Sequence, residues 1–216
     1  MVTGHTIRAP IEGVDFTLFY DYDQLQDEKL SRLTDDGKIT WFRLRMDCVF
    51  LEPLRRVFDT NSIVYRELKS EEPPFRSFLI ASFSILLNGV EALGSFLPPL
   101  KSTKRENRDN FVAFIKTYMR RWDINVAGTR YQTNYLPDIL WRYFRNGIAH
   151  GFVIKGGGID YDADATQYLV RPKGYLEIGP LAFFSDFLIA ARTFLTDIQS
   201  TYRTSFLGGF RKVYPC

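Results

Sequence analysis

The feature that most constrains this chain is an apolar run enclosed by two proline pairs. Ser70-Glu71-Glu72-Pro73-Pro74 is a helix-start signal, with acids and prolines where a helix N-terminus favours them. Pro98-Pro99 closes the run. Between them the spacing predicts a helix from about Phe75 to Phe96, with Leu79, Phe83, Leu86, Val90, Leu93 and Leu97 on one face. Its first half is apolar nearly all round, as for a helix covered on every side by neighbours. The most apolar part, Ser77 to Leu87, is about half the length a bilayer crossing needs, and Arg76, Asn88 and Glu91 flank it. The run is therefore read as the central helix of a folded core, with no membrane span. Glu91 is its one acid, and a carboxylate there needs a partner or a path to solvent.

Other periodic segments supply neighbours for this helix. Trp41, Leu44, Cys48, Leu51, Leu54 and Phe58 recur at steps of three and four, which predicts a helix from about Lys38 to Asp59. Pro53 lies inside it and is expected to kink it or divide it in two. A helix from about Asn110 to Asp123, capped by Asp109, would turn Phe111, Phe114, Ile115, Tyr118 and Trp122 inward. After a polar loop, a further helix is expected from about Asn134 to His150, with Gly151 suited to end it. Pro180 opens a last helix to about Thr204, striped with Leu181, Phe184, Phe187, Leu188, Ala191, Leu195, Ile198 and Tyr202. Before it, Phe152–Lys155, Thr166–Val170 and Tyr175–Ile178 are β-prone runs separated by Gly156-Gly157-Gly158 and Pro172-Lys173-Gly174. They predict a small antiparallel flap that must pack on the helices to persist.

The expected fold is therefore mainly α: a bundle of about four to five helices with a small antiparallel β-hairpin or flap inserted before the last one. The expected organisation is an N-terminal arm (1–36), a helical domain (37–206) with the β insertion at about 152–178, and a loose basic tail (207–216). In the arm, Asp15–Tyr20 reads as a short strand or an apolar segment laid on the core. Asp23–Leu33 reads as a short helix capped by Asp23, and Thr34–Gly37 as a turn. With 19 Phe and 12 Tyr in 216 residues, the core is expected to be rich in aromatic rings.

Several function classes find no footing. Cys48 and Cys216 are too few for a disulfide framework, and no Cys-x-x-Cys spacing suggests a metal site. The N-terminus has no basic region followed by an apolar run, so a reducing cytoplasmic setting is expected. Gly156-Gly157-Gly158 lacks the Lys-Ser/Thr of a phosphate loop, and there is no Gly-x-Ser-x-Gly elbow. No cofactor is expected. The net charge of +3 is unevenly spread: residues 1–36 carry eight acids against three bases, and residues 101–145 carry ten bases against four acids. The second stretch favours a polyanionic partner, although a solvated helix face has the same composition.

The chemistry-bearing residues gather inside that basic stretch, in Trp141-Arg142-Tyr143-Phe144-Arg145-Asn146-Gly147-Ile148-Ala149-His150-Gly151. The chain has two histidines, and His5 lies near a terminus, so acid–base chemistry near neutral pH points to His150. On an ideal helix Leu140, Trp141, Phe144 and Ile148 share the core side. Asp138, Arg142, Asn146 and His150 follow one another at steps of four on the opposite side, flanked by Arg145. Asn146 can touch His150 and fix its tautomer. Arg145 stands about 140° from His150, so the two would bracket a ligand and not touch. Arginine to hold a phosphate, an amide to orient and a histidine to move a proton suit phosphodiester chemistry. A histidine before a helix-ending glycine also has a purely structural use, satisfying the last carbonyls.

Arg145-Asn146-Gly147-Ile148-Ala149-His150-Gly151 resembles the signature of the HEPN superfamily (higher eukaryotes and prokaryotes nucleotide-binding): an Arg, a polar residue directly after it, and a His after four to six intervening residues. The resemblance implies an all-helical bundle and, for many members, a metal-independent endoribonuclease in toxin–antitoxin, phage-defence or RNA-processing settings. It implies a homodimer that brings two motifs into one composite site. Arg145, Asn146 and His150 would be the catalytic residues. Glu91 would match the acid that some members carry in an earlier helix, and Arg142, Arg120 and Arg121 would guide RNA. The β flap departs from the helix-only pattern, and Phe152 and Val153 stand where some toxin members carry a Tyr. A second reading of the same face is a non-catalytic module that binds RNA, a nucleotide or a protein partner.

Overall fold

The computed structural model describes residue 30, residues 32–58, 73–98 and 107–151, residue 154, and residues 156–213, with the backbone alone at 73–78 and 149–151. The expected strand or arm at 15–20 and most of the expected helix at 23–33 lie outside the described residues. Among the described residues the chain is mainly helical, with one small sheet. It divides into two compact units, residues 1–53 with 195–216, and residues 54–194.

In the first unit, helix α1 (Asp35–Arg45) starts where a turn is expected. The Thr34 hydroxyl accepts the Gly37 N–H at 3.1 Å, and Asp35 and Asp36 occupy the first turn. The residues that read as a turn are thus a helix cap, with acids placed against the positive end of the dipole. α1 runs into a wide π turn (Met46–Leu51) and on into α2 (Glu52–Phe58). Pro53 lacks an N–H, and its ring would strike the Val49 carbonyl in a regular helix. The wide turn just before it, in which Glu52 N–H reaches back five residues to the Asp47 carbonyl, relieves that clash without ending the helix. The last expected helix is broken in two. α7 (Pro180–Asp197) stops, the chain turns, and α8 (Arg203–Val213) comes after it. Residues 208–213, expected to be loose, are therefore helical, and two helices come after the sheet where one was expected. α8 packs on α1 through Trp41 on Phe210 (5.8 Å, edge-on) and Phe42 on Phe206 (5.0 Å), with an Arg203–Asp36 ion pair at 2.7 Å.

The second unit is built on α3 (Pro73–Gly94), the helix between the proline pairs. Phe83, Leu86, Leu87 and Val90 on it are fully buried. α4 (Asn107–Tyr118) lies along it, starting two residues before the expected Asp109 cap. The two backbones meet at Gly94, where any Cβ would collide with the Asn110 carbonyl oxygen. The aromatic core expected from composition is present: Phe83 on Phe183 (5.1 Å), Trp122 on Phe183 (4.8 Å), and Phe114 on Phe187 (6.2 Å). The Trp122 indole donates to Asp186 at 2.9 Å, so the burial of that ring leaves its polar group satisfied.

The sheet is mixed, which corrects the antiparallel flap expected from sequence. β2 (Tyr168–Arg171) and β3 (Tyr175–Ile178) form an antiparallel hairpin, but β1 (Gly157–Ile159) pairs parallel to β3, giving the order β1-β3-β2. The hairpin turn holds Lys173 and Gly174 at positive φ. Its Gly174 carbonyl accepts the Arg130 N–H at 3.1 Å, so the turn is pinned to the loop before the motif helix. β1 reaches the free edge of β3 because Gly157 has no side chain: a Cβ there would be 2.7 Å from the Leu176 carbonyl and 2.8 Å from Phe144. Strand propensity marks β2 and β3, but β1 falls in the glycine run expected to separate strands. Of the expected strand at 152–155 only Ile154 is described, outside any strand, and the pairing of β1 is set by this close approach. Among the described residues, no helix is long and apolar enough to cross a membrane.

Candidate functional site at the end of the motif helix

The motif lies on a helix with a second wide turn. α5 (Leu136–Ile139) passes through a π turn (Leu140–Arg145) into α6 (Asn146–Gly151). Asn146 N–H bonds to the carbonyl of Trp141, five residues back. The extra residue in that turn shifts the phase of every residue beyond it by about 100° relative to a regular helix, which carries Arg145 and Ile148 towards the Leu140 side. This changes the stripe expected from a helical wheel. Leu140, Phe144 and Ile148 are buried as expected, but Trp141 is only half-buried. Arg142 is exposed. Asp138, placed on the polar face by its spacing, is buried and takes Arg108 through Nε at 2.9 Å and Nη2 at 2.6 Å. That pair ties the start of the motif helix to α4. It also holds the Arg108 guanidinium more firmly protonated, with the bond to Asp138 as the main cause.

Arg145 turns in against α3. Its Nε lies 2.8 Å from Glu91 Oε2, and its Nη2 donates to Glu91 Oε1 at 3.2 Å. Its Nη1 donates to the Asn146 side-chain oxygen at 3.1 Å. The two charged side chains are only 17% and 12% exposed, so the pair is largely withdrawn from water. The partner that a lone acid on an apolar helix requires is thus Arg145, which spacing alone places at the edge of a solvent-facing stripe. Burial pushes the Glu91 carboxyl above its ordinary value, and Arg145 and the Trp141 indole pull it back only in part.

The remaining candidates are spread out. Arg120 and Arg121 lie on a 3₁₀ turn (Arg120–Trp122) after α4, both exposed, and Arg121 reaches Asp186 at 3.5 Å. Arg130 stacks on the Tyr175 ring with its guanidinium carbon 4.6 Å from the centroid. Part of the basic excess in residues 101–145 is therefore engaged: Arg108, Arg121 and Arg145 with acids, Arg130 with a ring. His150 lies in the last turn of α6, four residues after Asn146, where the structure describes the backbone only. Its side chain and the expected Asn146–His150 contact lie outside the described residues. Sequence reasoning missed Tyr131. Its hydroxyl donates to the Gly156 carbonyl and accepts the Leu176 N–H at 3.3 Å, fastening the sheet to the helices. A tyrosine within a polar loop gives no local sign of such a role.

Compared with protein-family models, with curated proteins and with solved structures, the chain matches none.

Proposed function

We propose that the second unit is a HEPN-like domain acting on RNA, a metal-independent endoribonuclease that uses Arg145, Asn146 and His150 in a homodimer. One observation carries the reading: an acid from an earlier helix, Glu91, meets the arginine of the motif, and the next residue, Asn146, joins them. The mainly helical architecture supports it more generally. In this reaction a base takes the proton of the ribose 2′-OH, and the freed oxygen attacks the adjacent phosphorus. An acid then gives a proton to the departing 5′ oxygen. Each chain offers one motif histidine. The base would be His150 and the acid His150 of the partner subunit, with Arg145 facing the charge that builds on the phosphoryl oxygens. The products are a 2′,3′-cyclic phosphate and a 5′-OH end.

The test is single-stranded RNA in EDTA with the wild-type chain and His150→Ala. The expected result is cleavage by the wild type that leaves cyclic-phosphate ends and is lost in the variant. Equal cleavage by both, or by neither, contradicts the enzyme. A second reading is favoured by the engagement of all three Arg145 nitrogens within the chain. In it the unit is a non-catalytic HEPN-like module that binds RNA, a nucleotide or a protein partner. Salt-dependent RNA binding without cleavage would select it.

A further inference from the structure

A guanidinium carries five N–H groups. Glu91 occupies the edge formed by Nε and Nη2, which is the edge an oxyanion takes when it binds arginine with two bonds. Asn146 takes one N–H of Nη1. The Nε N–H faces Glu91 Oε2 as an ion pair and not as a hydrogen bond. Among the described residues two N–H groups are left without a partner, one on each terminal nitrogen, and the charge behind them is already compensated. An approaching phosphate would meet a neutral pair, with a carboxylate next to the cation it needs. Neither partner can turn away easily, since both side chains are largely buried between α3 and the motif helix.

We propose that Glu91 is an inhibitory counter-charge on the anion-binding group of the motif, so that Arg145 takes a phosphate only when Glu91 is displaced. The inference rests on the reading of Arg145 as the phosphate-holding residue, and it differs from a positioning role in sign. A positioning acid helps binding, whereas a counter-charge restrains it.

The experiment uses the full chain as wild type, Glu91→Gln, Arg145→Gln and the double variant. The probes are a short single-stranded RNA and, separately, inorganic tripolyphosphate. Glu91→Gln keeps the shape and removes the charge, and is expected to tighten both probes about tenfold, the size expected for one nearby charge at intermediate screening. Its salt dependence for RNA should steepen by about 0.7 in the log–log slope, one added phosphate contact. Both gains should vanish in the double variant. Thermal melting checks that each variant folds; should Glu91→Gln not fold, Glu91→Met gives an uncharged side chain of similar length with no polar atom to leave unpaired. Binding by Glu91→Gln that is weaker than or equal to wild type overturns the proposal, as does a gain that survives loss of Arg145. Absence of tripolyphosphate binding in every variant overturns it too. A gain for tripolyphosphate with no RNA binding by any variant upholds the counter-charge and instead sinks the RNA reading.

Discussion

Among the described residues there are two wide helical turns of the same length, Met46–Leu51 and Leu140–Arg145, and they differ in cause. The first precedes Pro53, whose missing N–H and ring explain it locally. The second has no proline in or after it within the helix. Its distinguishing mark is a pair of tertiary contacts: Arg145 is brought against Glu91, and Phe144 against the sheet at Gly157. One turn relieves a covalent constraint. The other is selected by packing between distant segments, and it sits at the residues that carry the candidate chemistry, as extra-residue turns in helices often do.

This contrast can be broken from either side. The largest effect is expected for Phe144→Ala. That ring is fully buried at the second turn and abuts β1, and truncation should cost about 3–5 kcal/mol by denaturant unfolding. A loss below about 1 kcal/mol would show that the second turn is not held by packing. Gly94→Ala comes next. The added methyl forces α3 off α4 at Asn110, three residues past Glu91, and should cost about 1–3 kcal/mol. A neutral result would mean that α3 can shift freely, and the Glu91–Arg145 geometry with it. Pro53→Ala should stabilise the chain by about 1 kcal/mol and let the first turn close to regular helix, seen in backbone chemical shifts. The gain is smaller than the full penalty of a helix proline because the wide turn already removes the clash. If the first turn persists without Pro53, the distinction between the two falls.

The smallest effect concerns Glu91 itself. Its carboxyl is raised in the fold, so the folded chain holds that proton more tightly than the unfolded chain does. Its contribution to stability therefore declines as pH rises from the ordinary carboxylate range to the folded value, and is level above it. Arg145→Ala removes a group that pulls the value down, so the Glu91 midpoint, tracked by carbon NMR of the carboxyl, should move further up. A downward movement would mean that Arg145 does not act on Glu91.

Much of the frame was legible in the residues. The proline pairs mark α3, the aromatic content announces the core, and Pro53 predicts a distortion at its place. The parts that were not legible depended on contacts between segments far apart in sequence. A helical wheel assumes one phase, so the turn at Leu140–Arg145 moved Arg145 off the polar edge, while Asp138 left the exposed stripe for Arg108. β2 and β3 were visible as composition, but β1 sits in the glycine run read as a separator, and its parallel pairing depended on a glycine passing Phe144 and Leu176. Glu91 stood out as an acid that needed a partner and Arg145 as a motif residue flanking the polar stripe, and 54 positions separate them.

The pairing of those two residues is the central claim, and a double-mutant cycle for stability with Glu91→Gln, Arg145→Gln and both together tests it most directly. For a largely buried pair each single change leaves the partner uncompensated, so the predicted coupling is about 1–2 kcal/mol, below the ~3–5 kcal/mol of a fully enclosed pair. The double variant should then be less destabilised than the sum of the two single ones. Strict additivity, within about 0.3 kcal/mol, would contradict the account by showing that Arg145 and Glu91 do not hold one another.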